Sequence, residues 1–434
     1  MAAAAPQRVR GVPAGRGVRA SPAAYPAACP AGPSGSRRGP GARGAGSRRA
    51  AAAGASSSTT SSSSRPGPAP APAGAAVAAF EDARVGVGAT GQRVPVGVWY
   101  PLGADGERVA VQAASYPHAI SLAKISRVLL GLADRPPTLF DRQITLPSAG
   151  GVISGDAVAA AQPAAGSRAV VLCHGYLGSR FDLVDFAEGL ARAGFVVVAP
   201  EFAEGLANPD VMPAYQRADG GGPPPGTGAS RAAILEGTLA DLLEGRFGIP
   251  RERTALLGHS AGAGTVVQAE GRFAARVPIA GFRVPEDAEG AAAVARDPLL
   301  VIASEGDSVI SLYPKAAGRF GPSEGIAPAV RRLPVDVAEV DGADAAALAG
   351  LAAAGPRAAF VKYEGDAAPC HISFLSARSN DAMVETLAPL LPLARLLGVP
   401  LLDFDTYQLT RDSDAVLRRL VPAVVGWLDA VVPS

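Results

Sequence analysis

Cysteine is nearly missing from this 434-residue chain, which has only Cys29, Cys173 and Cys370. So odd and sparse a set builds no disulfide framework, and no Cys/His spacing suits a zinc site. Histidine is almost as scarce: His118, His174, His259 and His371 are the only imidazoles for acid–base chemistry. Lysine occurs three times, so the positive charge is almost all arginine. The net charge of +1 gives no case for a nucleic-acid partner. No stretch of about 18 residues in the folded part lacks both charge and proline, so no transmembrane helix is expected. Acid is missing from the N-terminal region, where no Asp or Glu precedes Glu81. That region carries ten arginines, and residues 56–64 are all Ser or Thr. An Arg-rich, Ser-rich, acid-free start without a continuous apolar segment has the composition of an organellar transit peptide. Its serine and proline favour a plastid (chloroplast) over a mitochondrion; the rival reading is an untargeted low-complexity tail. Such a stretch cannot bury a core and is expected to be disordered. The expected organisation is an extension over residues 1–79 and one large domain over residues 80–434.

What is present is 48% hydrophobic residues, enough for a large core. The alanine, glycine and proline load suits a GC-rich genome, so glycine and proline alone are not read as disorder. Residues 94–100 and 142–146 alternate toward strands, and residues 169–172 and 195–199 form continuous apolar strands. Leu122, Ile125, Leu129 and Leu132 predict a helix over residues 121–132. Asp182 opens another helix that Gly194 closes. Strands alternating with helices predict a mostly parallel α/β sheet covered on both faces. Residues 203–228 and 315–357 read as insertions over the strand ends, able to line a cleft or to form surface loops. The apolar run 387–402 suits core packing or a peripheral contact with a membrane surface.

The chemistry concentrates in Gly258-His259-Ser260-Ala261-Gly262, which follows the apolar run Thr254-Ala255-Leu256-Leu257 and precedes a helix-compatible run. Strand, Gly-x-Ser-x-Gly, helix is the context of a nucleophile elbow, in which a strained turn lifts the serine hydroxyl off the sheet edge. Its glycines let strand and helix pass without a Cβ collision. A serine hydroxyl needs a general base. His259 lies inside the elbow, directed away from the Ser260 hydroxyl. His174 sits in His174-Gly175-Tyr176-Leu177-Gly178, directly after a strand, where an oxyanion loop belongs. His118 precedes the sheet region. His371 remains, after the strand 359–363 and the loop 364–370. The chain order for this topology is Ser, acid, His. Asp307 follows the apolar strand 298–303; Asp287 follows the strand 277–280 at a greater distance, and Glu305 is a third candidate.

Four segments together resemble the plasma-type platelet-activating-factor acetylhydrolases. They are His174-Gly175-Tyr176-Leu177-Gly178, residues 193–199, the elbow, and Cys370-His371-Ile372-Ser373-Phe374. Val98-Trp99-Tyr100-Pro101, with Tyr116 and the helix after it, resembles that family's N-terminal strand and helix, so the similarity spans about residues 85–380. The chlorophyllases of plants and algae share the elbow and its strand. The resemblance implies an α/β-hydrolase fold and a serine carboxylic-ester hydrolase using Ser260 and His371, with Asp307 taken as the acid from its place after the strand 298–303, and with no metal or redox cofactor. The backbone N–H groups of Tyr176 and Ala261 would form the oxyanion hole. It implies an amphipathic small-molecule ester as partner, either a glycerophospholipid with a short acyl group or the phytyl ester of chlorophyll. Both families set the acid just after the strand that follows the elbow helix. Here that position reads Ala280-Gly281-Phe282, which moves the acid to Asp307 on the next strand. A peptidase or an acyltransferase would carry the same triad, and a non-catalytic binding protein of this fold would keep the sheet without it.

Overall fold

Alternating apolar runs and small-residue helices build one large sheet with helices on both faces. The computed structural model describes residues 78–88, 92–102, 113–121, 142–148, 150–153, 167–205, 229–285, 287–315, 323–387, 392 and 413–433. Residues 1–77, the predicted helix of 121–132 beyond Ser121, residues 206–228 and most of 387–402 lie outside them.

The described residues begin with two antiparallel strands, β1 (Ala78–Val87) and β2 (Gln92–Pro101), paired over their full length. The strands β3 (Ser115–Ile120) and β4 (Arg142–Pro147) form a separate two-stranded sheet, and β5 (Val152–Ile153) runs parallel to β1. Then come β6 (Arg168–Cys173), α1 (Val184–Arg192), β7 (Phe195–Pro200), α2 (Arg231–Thr238), β8 (Thr254–His259) and α3 (Ala261–Gln268). The rest comprises β9 (Ala275–Ile279), α4 (Ala288–Val294), β10 (Leu299–Ser304), α5 (Ile326–Arg331), β11 (Ala338–Asp341) and α6 (Ala345–Ala354). It closes with β12 (Ala358–Tyr363), α7 (Ala377–Leu387) and α8 (Ser413–Val431).

The main sheet has the order β5-β1-β2-β7-β6-β8-β9-β10-β12-β11. From β7 to β11 every neighbouring pair is parallel, and β2 runs against both of its neighbours. This strand order, with its single reversed strand near one end and an elbow after the central strand β8, is the α/β-hydrolase fold. The central strands are apolar throughout because both faces are covered. On one face Val170, Leu172, Val197, Leu257 and Ile302 pack with Phe186 and Leu190 of α1, Leu348 of α6 and Trp427 of α8. On the other face Val171, Val198 and Leu256 meet Ile234 and Leu235 of α2 and Val266 of α3. There Val301 and Phe360 meet Val294 of α4 and Val330 of α5.

Three expectations change. His118 does not precede the sheet region: β1 and β2 of the main sheet come before it, and it lies on β3. Residues 315–357 are not a mere excursion, because they supply α5, α6 and the edge strand β11. Asp182 does not cap α1, which begins at Val184. Its carboxylate turns back to Ser179 N (3.1 Å) and Ser179 Oγ (3.0 Å) and reaches across to Ser379 Oγ (3.0 Å). Burial pushes that carboxyl up to about 6.

Candidate active site

The elbow is built by close backbone contact. A Cβ on Gly262 would lie 1.9 Å from Cys173 O, and one on Gly258 would lie 2.3 Å from Gly262 O. Both positions therefore require glycine, and α3 starts tightly against the ends of β6 and β8. Ser260 itself has φ 57 and ψ −118, a strained conformation for a side-chain-bearing residue. The strain is held by Ser260 N donating to Ile279 O (2.9 Å) and Gly264 N donating to Ser260 O. The half-buried Ser260 side chain caps no backbone N–H of α3.

Parallel strands bring their carboxyl ends to one edge, and the other two residues arrive there on separate loops. Asp307 follows β10 and His371 follows β12. Nδ1 of His371 donates to Oδ2 of Asp307 at 2.7 Å. Oδ1 of Asp307 accepts from Val309 N and Ile310 N, both at 2.8 Å. The carboxylate is thus buried but fully bonded, the condition under which a charge survives in the interior. The two loops are pinned together by Ser304 Oγ donating to Pro369 O (2.6 Å). Gly306 makes the approach feasible, since a Cβ there would lie 2.3 Å from Ala368 O.

The other carboxylates have different tasks. Asp287 is the N-cap of α4, accepting from Gly290 N at 2.7 Å. Glu305 is exposed and accepts from Gly365 N at 2.9 Å. Neither is hydrogen-bonded to His371, whose Nδ1 goes to Asp307. The site after β9 holds Ala280 (φ 50) and Gly281, where a Cβ would lie 2.5 Å from Ser260 O. A side chain at position 281 would strike the elbow itself.

His259 has a partner in the site. Its Nε2 donates to His371 O at 2.9 Å, and the two rings lie 4.6 Å apart. Burial, and then the neighbouring His371, hold its imidazole well below the usual histidine range, so it is neutral. His174 begins the loop after β6. Phe202 N donates to its Nε2 (2.9 Å), which leaves Nδ1 to donate to Gly175 O (2.7 Å). A Cβ on Gly175 would be 3.3 Å from Ser260 Cβ, so this loop runs against the nucleophile candidate. Tyr176 and Ala261 therefore flank Ser260 from two elements, the loop after β6 and the start of α3. Tyr176 is 43% exposed, and Tyr313, six residues after Asp307 in the chain, is 36% exposed and bonded to Glu364.

Sequence reasoning missed Arg231, the first residue of α2. Its guanidinium reaches the carbonyls of His174 (2.8 Å) and Gly175 (3.2 Å) and pairs with Glu204. No local pattern marks it, because its partners are 27 to 57 positions away. The role of His259 was closer to hand, since an imidazole inside the elbow is itself a signal.

Among the described residues no group of three or more His, Cys, Asp or Glu could hold a metal ion, and no helix is long and apolar enough to cross a membrane. No protein-family profile matches the sequence, and no curated protein does. Solved structures with similar coordinates are distant. A ferulic acid esterase from Streptomyces cinnamoneus is 16% identical, with a TM-score of 0.38, covering 84% of this chain and 93% of that one. A putative dienelactone hydrolase from Klebsiella pneumoniae is 12% identical, with a TM-score of 0.36 and coverage of 81% and 98%. A 2,6-dihydroxy-pseudo-oxynicotine hydrolase is 10% identical, with a TM-score of 0.34 and coverage of 79% and 68%. Likenesses this distant carry no argument about substrate; the fold stands on the strand order and the elbow described above.

Proposed function

We propose that the chain is a serine carboxylic-ester hydrolase. One observation carries the reading: His371 Nδ1 lies 2.7 Å from a buried, fully bonded Asp307, at the same sheet edge as a strained serine between two obligatory glycines. In this mechanism Asp307 holds the proton on Nδ1 of His371, which leaves Nε2 to accept the Ser260 proton. Ser260 Oγ adds to the ester carbonyl. The resulting oxyanion takes hydrogen bonds from the N–H groups of Tyr176 and Ala261. His371 returns the proton to the leaving alcohol. Water, deprotonated by His371, then attacks the acyl-enzyme; the Ser260–acyl bond breaks, His371 returns the proton to Ser260 Oγ, and the acid leaves.

We assign the substrate to amphipathic lipid esters, with a glycerophospholipid bearing a short acyl group first and the phytyl ester of chlorophyll second. The resemblance of the elbow, loop and histidine segments supports the first. The acid-free, Arg- and Ser-rich start of the sequence supports delivery to a chloroplast. Turnover of a 2-acetyl glycerophospholipid, chlorophyll and p-nitrophenyl acetate tests the reading, together with fluorophosphonate labelling. The wild type should hydrolyse p-nitrophenyl acetate and at least one lipid ester, and should be labelled. Ser260→Ala should remain folded, lose labelling, and fall in rate by on the order of 10⁴-fold or more. Retained turnover in Ser260→Ala would end the assignment. Activity on chlorophyll alone would replace the phospholipid reading with the second substrate. Absence of both labelling and turnover in the wild type would instead favour a non-catalytic binding protein.

A further inference from the structure

We propose that Arg231 is a positioning residue that aims the oxyanion-binding N–H of Tyr176; this rests on the hydrolase reading above. A trans peptide is planar, so its C=O and N–H point in opposite directions. Whatever holds Gly175 O therefore aims Tyr176 N–H. Three donors hold that oxygen: His174 Nδ1 at 2.7 Å, Gly178 N at 3.2 Å and Arg231 Nη2 at 3.2 Å. Among these donors Arg231 alone carries a full charge and comes from another element. The same Nη2 donates to His174 O at 2.8 Å, so two successive peptide planes are held by one nitrogen.

The guanidinium also reaches the other side of the site. Arg231 Nη1 donates to Thr265 Oγ1 at 3.1 Å, and that hydroxyl donates to Ala261 O at 3.1 Å. Arg231 thus joins the loop carrying Tyr176 to the helix turn carrying Ala261, the two proposed oxyanion donors. Its own place is well determined. Ser230 caps α2 by accepting from Ala233 N, Nε pairs with Glu204, and the guanidinium lies 4.1 Å from the centre of the Phe202 ring. A positive charge at the carbonyl end of the Gly175–Tyr176 peptide also polarises that amide and strengthens its N–H as a donor. Lysine could not replace it, because one ammonium cannot reach Glu204, Thr265 and two carbonyls in a planar fork.

The test compares the full-length wild type with Arg231→Gln and Arg231→Lys. It measures kcat and KM for p-nitrophenyl acetate, and the inhibition constant of a trifluoromethyl ketone. That inhibitor adds Ser260 Oγ to its carbonyl and leaves an oxyanion in the hole. Both variants should lose roughly 10- to 100-fold in kcat, less than or comparable to removing an oxyanion donor outright. KM should change little, and inhibitor affinity should fall in parallel with kcat/KM. A merely structural role would reduce the folded fraction and leave the inhibition constant of the folded enzyme unchanged; that result overturns the proposal. Should both variants fail to fold, Thr265→Val and Glu204→Gln decide, since each loosens one anchor of the guanidinium. Weaker inhibition in either supports the role, and unchanged inhibition in both overturns it. A wild type that neither turns over the ester nor forms the adduct overturns the hydrolase reading itself. An active wild type with indifferent variants removes only the role of Arg231.

Discussion

Asp307 and Asp287 both follow apolar strands and both accept backbone N–H bonds, yet their remaining oxygens have different fates. Asp287 spends its acceptor capacity at the start of α4. Asp307 bonds two N–H groups through one oxygen and keeps the other for His371. Asp307→Asn should therefore lower kcat/KM by orders of magnitude, about 10⁴-fold at most, because the amide favours the wrong imidazole tautomer. Asp287→Ala should leave kcat/KM unchanged and cost about 1 kcal/mol of stability through the lost cap. Steady-state kinetics and urea unfolding of the two variants check this, and a reversed pattern would move the acid to the earlier strand. Both aspartates were visible as candidates in the sequence, and the short step from its strand favoured Asp307. The contact that settles the matter was not visible, because it depends on which loop meets residues 368–371.

Elements carry the next level of organisation. The elbow helix α3 is held at its far end by Arg276 of β9, which donates to the carbonyls of Val266, Val267, Ala269 and Gly271 and pairs with the buried Asp297 at 2.8 Å. Elbow geometry is thus maintained from both ends of one short helix. The separate strand pair β3/β4 is tied in by Tyr116, whose hydroxyl donates to Glu188 at 2.7 Å, and by Arg378, which donates to Glu188 and to Pro147 O. His118 on β3 packs edge-on against Phe181 at 5.7 Å. Burial, and then the charge of Arg180, push its imidazole down to about 4. The folded state therefore binds this proton less readily than the unfolded chain. The resulting stability is present above about pH 6.5 and is lost as pH falls toward 4, by on the order of 3 kcal/mol. His118→Asn should flatten this part of the acid limb in urea unfolding followed between pH 7 and 4. An unchanged slope would mean that His118 takes up its proton as readily in the native protein as in the unfolded chain.

At the scale of the whole molecule, the described catalytic-site candidates all lie between Gly175 and His371, far along the chain from the Arg- and Ser-rich start. Deleting residues 1–75 should leave kcat/KM for p-nitrophenyl acetate within about two-fold, because no triad or oxyanion group is removed. The same residues fused to a reporter should carry it into chloroplasts, and the mature protein should begin beyond them. Microscopy of the fusion and N-terminal sequencing check both points. A cytosolic reporter on an intact N-terminus would leave a low-complexity tail as the reading.

The sequence by itself determined the parallel sheet, because strands buried on both faces must be apolar throughout, as residues 169–172, 195–199 and 299–303 are. It also determined the elbow, since a turn so tight that a Cβ on Gly258 would lie 2.3 Å from Gly262 O leaves no choice but glycine. These are local constraints, written in adjacent residues. Only the tertiary structure decided that β11 joins the sheet, that Asp307 rather than Asp287 meets His371, and that His259 bonds the backbone carbonyl of His371. Only the tertiary structure brought Arg231 to the loop after β6. Each of these depends on a contact between residues far apart in sequence, and a side chain's reach across such a gap is set by the packing of sheet and helices rather than by any pattern along the chain.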